Sequence, residues 1–315
     1  MSIVNCQLSI MNVLITGGAG YIGTSLVDKL NTNPLVNKVV VYDNMSQNNI
    51  RFFFGNINLH KVQFIHGDIL NHIALKKALQ DIDVVYHLAG VVKSPYSMED
   101  SLKYEQINQW GTANLIHCME NQNRVQKFIF VSSASVYGFA TLENELLEAN
   151  PMNTYGRSKR EAEKFVQLLE EEMQVDILRV ANVFGYNRTV RHDSVINRFI
   201  FEALCYGQIQ IFGSGNQIRP FVHIHHLTEL LNDQLEPIQD HAGLKISNVL
   251  QFNRSINQIR DIIKNELNHL DYIYVNQGHE VPSLEIKIDS LLAEDQIQNL
   301  MKKEIQTFRN RFVLS

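Results

Sequence analysis

The chain has 315 residues, a formal net charge of −5, 45% hydrophobic and 19% charged residues, the composition of an ordinary globular protein. No dense basic patch appears along it, which argues against nucleic acid as a partner, and Cys6, Cys118 and Cys205 are too few and too scattered for a disulfide framework or a Cys-based zinc site, as suits a reducing cytoplasm. The longest apolar stretches, such as 84–92 with His87 inside it, are far too short to cross a bilayer, so no membrane partner is expected.

The first ten residues lack the basic flank and continuous apolar segment of a secretion signal and are expected to form an irregular extension. From Met11 onward short β-branched runs alternate with amphipathic stretches. Asn12–Thr16 predicts the first strand, and Thr16-Gly17-Gly18-Ala19-Gly20-Tyr21-Ile22-Gly23 follows it directly and opens a helix. Glycines there allow a tight turn, close approach of a pyrophosphate and helix-on-strand packing, while the helix start offers N–H donors to the anion. Gly17, Gly20, Tyr21, Ile22 and Gly23 are therefore candidate cofactor contacts.

Lys38–Tyr42 predicts the second strand, ending at Asp43-Asn44, and Asp43 lies 20 residues beyond Gly23. A carboxylate at that distance accepts the hydroxyls of an adenosine ribose and repels a 2′-phosphate, which favours NAD over NADP. Val62–His66 and Val84–Leu88 predict strands three and four, and the residues at or just past their ends, Asp68 and Ile69, then Leu88, Ala89 and Gly90, fall where a parallel sheet opens its ligand crevice.

Phe128–Ser132 predicts a fifth strand that delivers Ser132, Ser133 and Ser135 to the same edge. Tyr155 and Lys159 then stand one turn apart on one face of a long helix. A phenol, ordinarily titrating near pH 10, becomes a usable proton acceptor when a neighbouring ammonium and a bound pyridinium favour its anion. Asp176–Val180 closes the strand series. The strands are continuously apolar, as a parallel sheet covered on both faces requires, so the expected fold is α/β, a doubly wound parallel sheet of Rossmann type.

Beyond Val180 the pattern predicts a helix over 194–206, a strand over 209–212, a Gly-Ser-Gly turn, a helix over 255–270, a strand over 272–275 and a helix over 291–308. The expected division is an NAD-binding domain over residues 1–180, with 221–250 folding back onto it, and a smaller substrate lobe over 181–315. His223, His225 and His226 lack the convergent partners a metal needs, and no metal site is expected. The acidic run 170–172 is expected to be a solvated helix end.

With these residues in place, the chain resembles the extended short-chain dehydrogenase/reductase family, in particular its NAD-dependent nucleotide-sugar epimerase/dehydratase branch. The resemblance covers about residues 11–250 and is carried by 16–23, 42–44, 87–90, Asn108 with Gly111-Thr112, 132–138, Tyr155 with Lys159, and 179–185. It implies that Ser133, Tyr155 and Lys159 are the catalytic residues, with Lys159 also holding the nicotinamide ribose, and that Asn108 stands beside the cofactor. It further implies that Ser133, Ser135, Asn182 and Arg219 contact a nucleotide-sugar substrate.

Dehydratases of this branch follow the hydroxyl residue with Asp-Glu, and its decarboxylases carry Glu at the second place; here Ala134 and Ser135 stand there, similar to the 4-epimerases. The implied reaction is 4-epimerisation through a transient 4-keto sugar with recycling of NAD. The alternatives are a reductase or dehydratase of a nucleotide-linked keto sugar, and a non-catalytic NAD-binding regulatory protein. The chain departs from the family at Pro220, at His225-His226 and in Gln277-Gly278-His279-Glu280, which lacks a diphosphate-clamping Arg, so the nucleotide end is expected to bind with altered affinity. A homodimer built on the helices over 101–121 and 155–173 is the family's usual assembly.

Overall fold

The computed structural model describes residues 10–54, 59–92, 101–120, 124–142, 148–235, 242–267, 269–276 and 282–311. The expected extension before residue 10, with Cys6, and the segment 277–280 lie outside the described residues.

In chain order the first half contains β1 (Met11–Thr16), α1 (Tyr21–Thr32), β2 (Val36–Asp43), β3 (Val62–His66), α2 (His72–Ala78), β4 (Val84–His87), α3 (Ser101–Tyr104), α4 (Gly111–Met119), β5 (Lys127–Ser133) and β6 (Thr141–Leu142). The second half contains α5 (Thr154–Gln167), β7 (Gln174–Val180), β8 (Asn182–Phe184), α6 (Val195–Tyr206), β9 (Gln208–Phe212), β10 (Ile218–His223), α7 (Ile224–Asp233), β11 (Gly243–Val249), β12 (Phe252–Ser255), α8 (Ile256–Glu266), β13 (Asp271–Val275), β14 (Glu285–Ile286) and α9 (Glu294–Arg311).

Seven parallel strands form the central sheet in the order β11-β7-β5-β4-β1-β2-β3. The five inner strands are apolar and largely buried, whereas the edge strands β3 and β11 carry exposed Gln63, His66 and Lys245. One face packs against α1 and α7 through Leu26, Leu30, Leu227 and Leu231, and the other against α2, α4 and α5 through Leu75, Leu115, Ala162 and Val166. Burying two faces is what stabilises a parallel sheet whose inner strands are continuously apolar. The chain winds outward from β1 in both directions, so the crevice between the ends of β1 and β4 is the topological switch point.

A separate core gathers Phe184, Phe199, Ile211, Phe221, Phe252, Ile263 and Phe308 from β8, α6, β9, β10, β12, α8 and α9. It is bound to the sheet side by polar contacts: Tyr21 donates to Gly185 O at 2.5 Å, and Arg188 forks onto Asp28 of α1. Between α3 and α4 the helix carries a π-helical stretch, Glu105–Trp110, whose ladder closes with Gly111 N donating to Gln106 O. The widened turn turns Asn108 inward, where it is 1% exposed, while Trp110 remains 55% exposed.

Candidate active site

The glycine loop after β1 is held by contact rather than by composition alone. Gly17 has φ +71°, and a Cβ built there would lie 2.6 Å from Ala89 N, so the loops after β1 and β4 touch backbone to backbone. A Cβ on Gly23 would meet Gly17 O at 2.5 Å, which lets α1 start directly over the loop. Gly20 caps that helix with no side-chain hydrogen bond, and no acidic residue occupies its first turn. The start of α1, with Tyr21 and Ile22, thus keeps the positive end of a 12-residue helix for an anion. These features fit the pyrophosphate of a dinucleotide.

Asp43 at the end of β2 accepts from Ala19 N at 3.0 Å and Met45 N at 2.8 Å. Burial raises its pKa, and these two N–H donors oppose the rise. Each carboxylate oxygen retains a lone pair for a ribose hydroxyl. Asn44 donates to Asp68 at 2.8 Å, and Asp68 also accepts from Leu70 N at 2.9 Å, which ties the ends of β2 and β3 into one frame. The side chain of Ile69 lies against Gly111, and its carbonyl accepts from Asn114 at 2.7 Å.

His87 organises the floor of the crevice. Thr112 donates its hydroxyl proton to Asn108 O at 2.6 Å, so its oxygen accepts from His87 Nε2 at 2.8 Å, and Nδ1 is left to accept from Thr16 at 2.7 Å. Burial, with the Lys159 charge adding to it, pushes this imidazole down to about 3 from the ordinary 6.5. Between those values the unfolded chain binds a proton that the native chain does not, so stability falls as pH drops through that window. Denaturant unfolding across it is expected to show this slope in the wild type and a shallower one in His87→Gln; equal slopes would exclude His87 as the source.

The region of Tyr155 and Lys159 begins with Asn153, whose side chain caps α5 by accepting from Gly156 N at 2.7 Å. Gly156 is required because a Cβ there would lie 2.4 Å from Ser135 O. Tyr155 is accordingly the second residue of α5, in its positive first turn. Its phenol hydrogen-bonds Ser133, and its ring meets Tyr104 edge-on at 5.8 Å. Burial raises its pKa, while the Ser133 hydrogen bond and the charge of Arg191 act downward.

One turn on, Lys159 is 4% exposed. Its ammonium donates to Val131 O at 2.9 Å and lies 4.8 Å from the Phe130 ring centroid. Burial draws its pKa down to about 8, with Glu163 acting against the fall. Gly90 faces both Lys159 and Asn108, since a Cβ on it would stand 3.5 Å and 3.0 Å from their polar atoms. Asn108 accepts from Val91 N at 2.8 Å and donates to Val91 O and to Ser158 at 3.1 and 3.0 Å. Its amide is thus committed to clamping the loop after β4 onto α5.

Among the residues expected to meet a substrate, Ser135 N donates to Ser133 Oγ at 3.2 Å, and Asn182 on β8 donates to Pro220 O at 3.0 Å. Arg219, on the adjacent β10, donates to Ile218 O and Pro282 O, both at 2.7 Å. Among the histidines, His223 caps α7 and lies 2.9 Å from Glu304. No group of three or more potential metal ligands occurs among the described residues.

The structure therefore brings Ser133, Tyr155, Lys159, Asn108 and Gly90 together, and separately Gly17, Ala89 and Gly23. Sequence reasoning missed Arg191, which forks onto Asp193 at 2.5 and 2.7 Å and acts electrostatically on both Tyr155 and Tyr21. Nothing in its local pattern signals this, because the proximity arises from the fold. It also missed Glu163, although its spacing of one turn from Lys159 is visible in α5.

A family model described as NAD dependent epimerase/dehydratase family matches residues 13–235. A Methanocaldococcus jannaschii protein provisionally named UDP-glucose 4-epimerase is 31% identical over 293 residues, 90% of this chain and 91% of that protein. UDP-glucuronic acid decarboxylase 1 of Xenopus tropicalis is 27% identical over 78% of this chain but only 60% of its own length. The structure of UDP-glucuronic acid 4-epimerase from Bacillus cereus, bound to UDP-glucuronic acid and NAD, superposes with a TM-score of 0.82 at 26% identity, covering 96% of this chain and all of that one.

Proposed function

Since the chain belongs to the NAD-dependent epimerase/dehydratase family, we propose that it is a nucleotide-sugar 4-epimerase that recycles its NAD. One observation carries the choice of reaction. Elimination or decarboxylation chemistry in this family relies on an acid beside the hydroxyl residue, whereas Ser133 is followed by buried Ala134 and by Ser135. The groups acting on Tyr155 are Ser133, Arg191 and Tyr104, and none of these is a carboxylate.

NAD, when bound, supplies reversible hydride acceptance at the sugar carbon. The chain's own residues do the rest. Tyr155 takes the proton of the sugar 4-hydroxyl and returns it after the 4-keto sugar has presented its other face. Ser133 hydrogen-bonds the same oxygen, and Lys159 holds the nicotinamide ribose. The start of α1 and the Gly17 loop hold the pyrophosphate, while Asp43 favours a ribose without a 2′-phosphate. Ser135, Asn182 and Arg219 are assigned to the sugar and its diphosphate.

The test is to denature the purified protein, identify any released nucleotide, and then offer UDP-, GDP- and dTDP-sugars without added cofactor. Formation of the 4-epimer with no net change in NADH absorbance is expected. Stoichiometric NADH consumption would replace this reading with a reductase, and an elimination product with a dehydratase.

The assembly proposed is a homodimer through α3, α4 and α5. Leu102, Trp110 and Leu168 are 71, 55 and 70% exposed there, and Trp110 stacks obliquely on Phe165 at 6.2 Å. Trp110→Glu is expected to convert a dimer into a monomer in sedimentation velocity; an unchanged sedimentation coefficient would rule this face out. The location proposed is cytoplasmic, in keeping with the free thiols of Cys118 and Cys205. No described helix is long and apolar enough to cross a membrane.

A further inference from the structure

Directly beneath the catalytic residues lies a charge pair that the proposed reaction does not use. Glu163, one turn past Lys159 on α5, is 0% exposed, and Arg179 on β7 is 4% exposed. The guanidinium forks onto the carboxylate at 3.0 and 2.8 Å. Ser132 donates to the same carboxylate at 2.6 Å, and Arg160 approaches it at 3.3 Å. Arg179 donates its remaining nitrogen to Tyr137 at 3.0 Å, with that ring's centroid 4.9 Å away, and Tyr137 donates to Asn248 of β11 at 2.8 Å. The network thus runs from the outermost strand of the sheet to the residue preceding Ser133.

Such a pair is not explained by stability alone, because apolar residues of similar volume commonly hold a fold as well as a buried ion pair does. Its position is informative. Ser132 is the peptide neighbour of Ser133, and Lys159 shares the face of α5 on which Glu163 stands. We propose that Glu163, which touches neither cofactor nor substrate, is a positioning residue: through Ser132 it fixes the end of β5 that carries Ser133, and with Arg179 it sets the charge environment of the Lys159 ammonium. This rests on the assignment of Ser133, Tyr155 and Lys159 to catalysis.

Several described groups stand near Lys159. On α5 they are Tyr155 and Glu163, the latter with Arg160 beside it. From β4 comes His87, which is neutral near pH 7, and from β5 come the Val131 carbonyl and the Phe130 ring. Asn108 and Gly90 stand beside Lys159 as well, and Arg179 is held on Glu163. Glu163 is therefore the anion that offsets burial of the ammonium. Removing it leaves Lys159 with the cation of Arg179, whereas removing Arg179 leaves Lys159 with a carboxylate that only Ser132 and Arg160 still contact.

The experiment follows the Cε chemical shift of Lys159 through a pH titration of the NAD-saturated protein, assigned with Lys159→Met. In Glu163→Gln the titration midpoint is expected to fall by roughly one pH unit, and in Arg179→Gln to rise. The alkaline limb of kcat is expected to move with it. Ser132→Ala keeps every charge and is expected to lower kcat severalfold at constant KM, with the Lys159 midpoint unmoved.

A purely structural pair would lower thermal stability in the first two variants and leave both midpoints in place, which would overturn the charge assignment. If Glu163→Gln does not fold, Arg179→Gln decides by the sign of its shift. Wild-type kcat in Ser132→Ala would overturn the positioning of Ser133. The titration needs no turnover, so a wild-type chain inactive on every nucleotide sugar would defeat the assigned reaction without touching this result.

Discussion

Tyr155→Phe is expected to reduce kcat by about 10² to 10⁴-fold, the span that a positioned proton-transfer group contributes. The substitution removes one oxygen and little else. The ring keeps its place against Tyr104 at 5.8 Å, the cap from Asn153 to Gly156 N is untouched, and Lys159 retains Val131 O. Folding and cofactor retention should therefore match the wild type, which thermal melting and the NAD content of the purified variant would verify.

What is lost is the acceptor for the hydroxyl proton. Ser133 remains, but its hydroxyl is a far weaker base, and Tyr104 presents its ring edge. In the free chain burial outweighs Ser133 and Arg191 and leaves the phenol less acidic than usual, so the deprotonated form depends on the charge that a bound cofactor brings. The kcat profile should accordingly fall at acid pH in the wild type, and the variant should lack that limb. A variant turning over at the wild-type rate would remove Tyr155 from the mechanism.

Gly17→Ala is expected to cost the chain its cofactor. The residue sits at φ +71°, where an L side chain costs about 1–2 kcal/mol, and the new methyl would stand 2.6 Å from Ala89 N and 2.8 Å from Leu88 C. Neither neighbour is a flexible side chain. Relief would have to come from separating the loops after β1 and β4, the two that frame the crevice. The measurable result is the loss of NAD-induced stabilisation. Saturation at 100 times Kd adds about 2.7 kcal/mol to a binding-competent chain, and the variant should show almost none. A full NAD-dependent rise in melting temperature would show that the loop yields.

Six strands of the central sheet were legible as short runs rich in apolar residues, and β3 runs from Val62 to His66 as the pattern predicts, whereas β11, with Lys245, Ser247 and Asn248 among its residues, was not. The glycine loop and the Tyr155–Lys159 pair were legible for a related reason: their chemistry depends on spacing within one element. The Glu163–Arg179 pair was not, since its partners come from α5, β5 and β7 and meet only when the sheet assembles. Arg191 was hidden in the same way.

The π-helical stretch Glu105–Trp110 has a consequence for how this chain can vary. An α-helix advances about 100° per residue, so deleting one residue from the stretch would rotate everything before it against everything after it by that angle. Asn108 could then hold Val91 and Ser158 only if Trp110 abandoned its outward direction, or the reverse. Length at this place is fixed more tightly than identity: exchanges of side chain along the outer surface are tolerable, whereas a one-residue insertion or deletion severs the Asn108 clamp on the loop after β4 from the exposed face that carries Trp110.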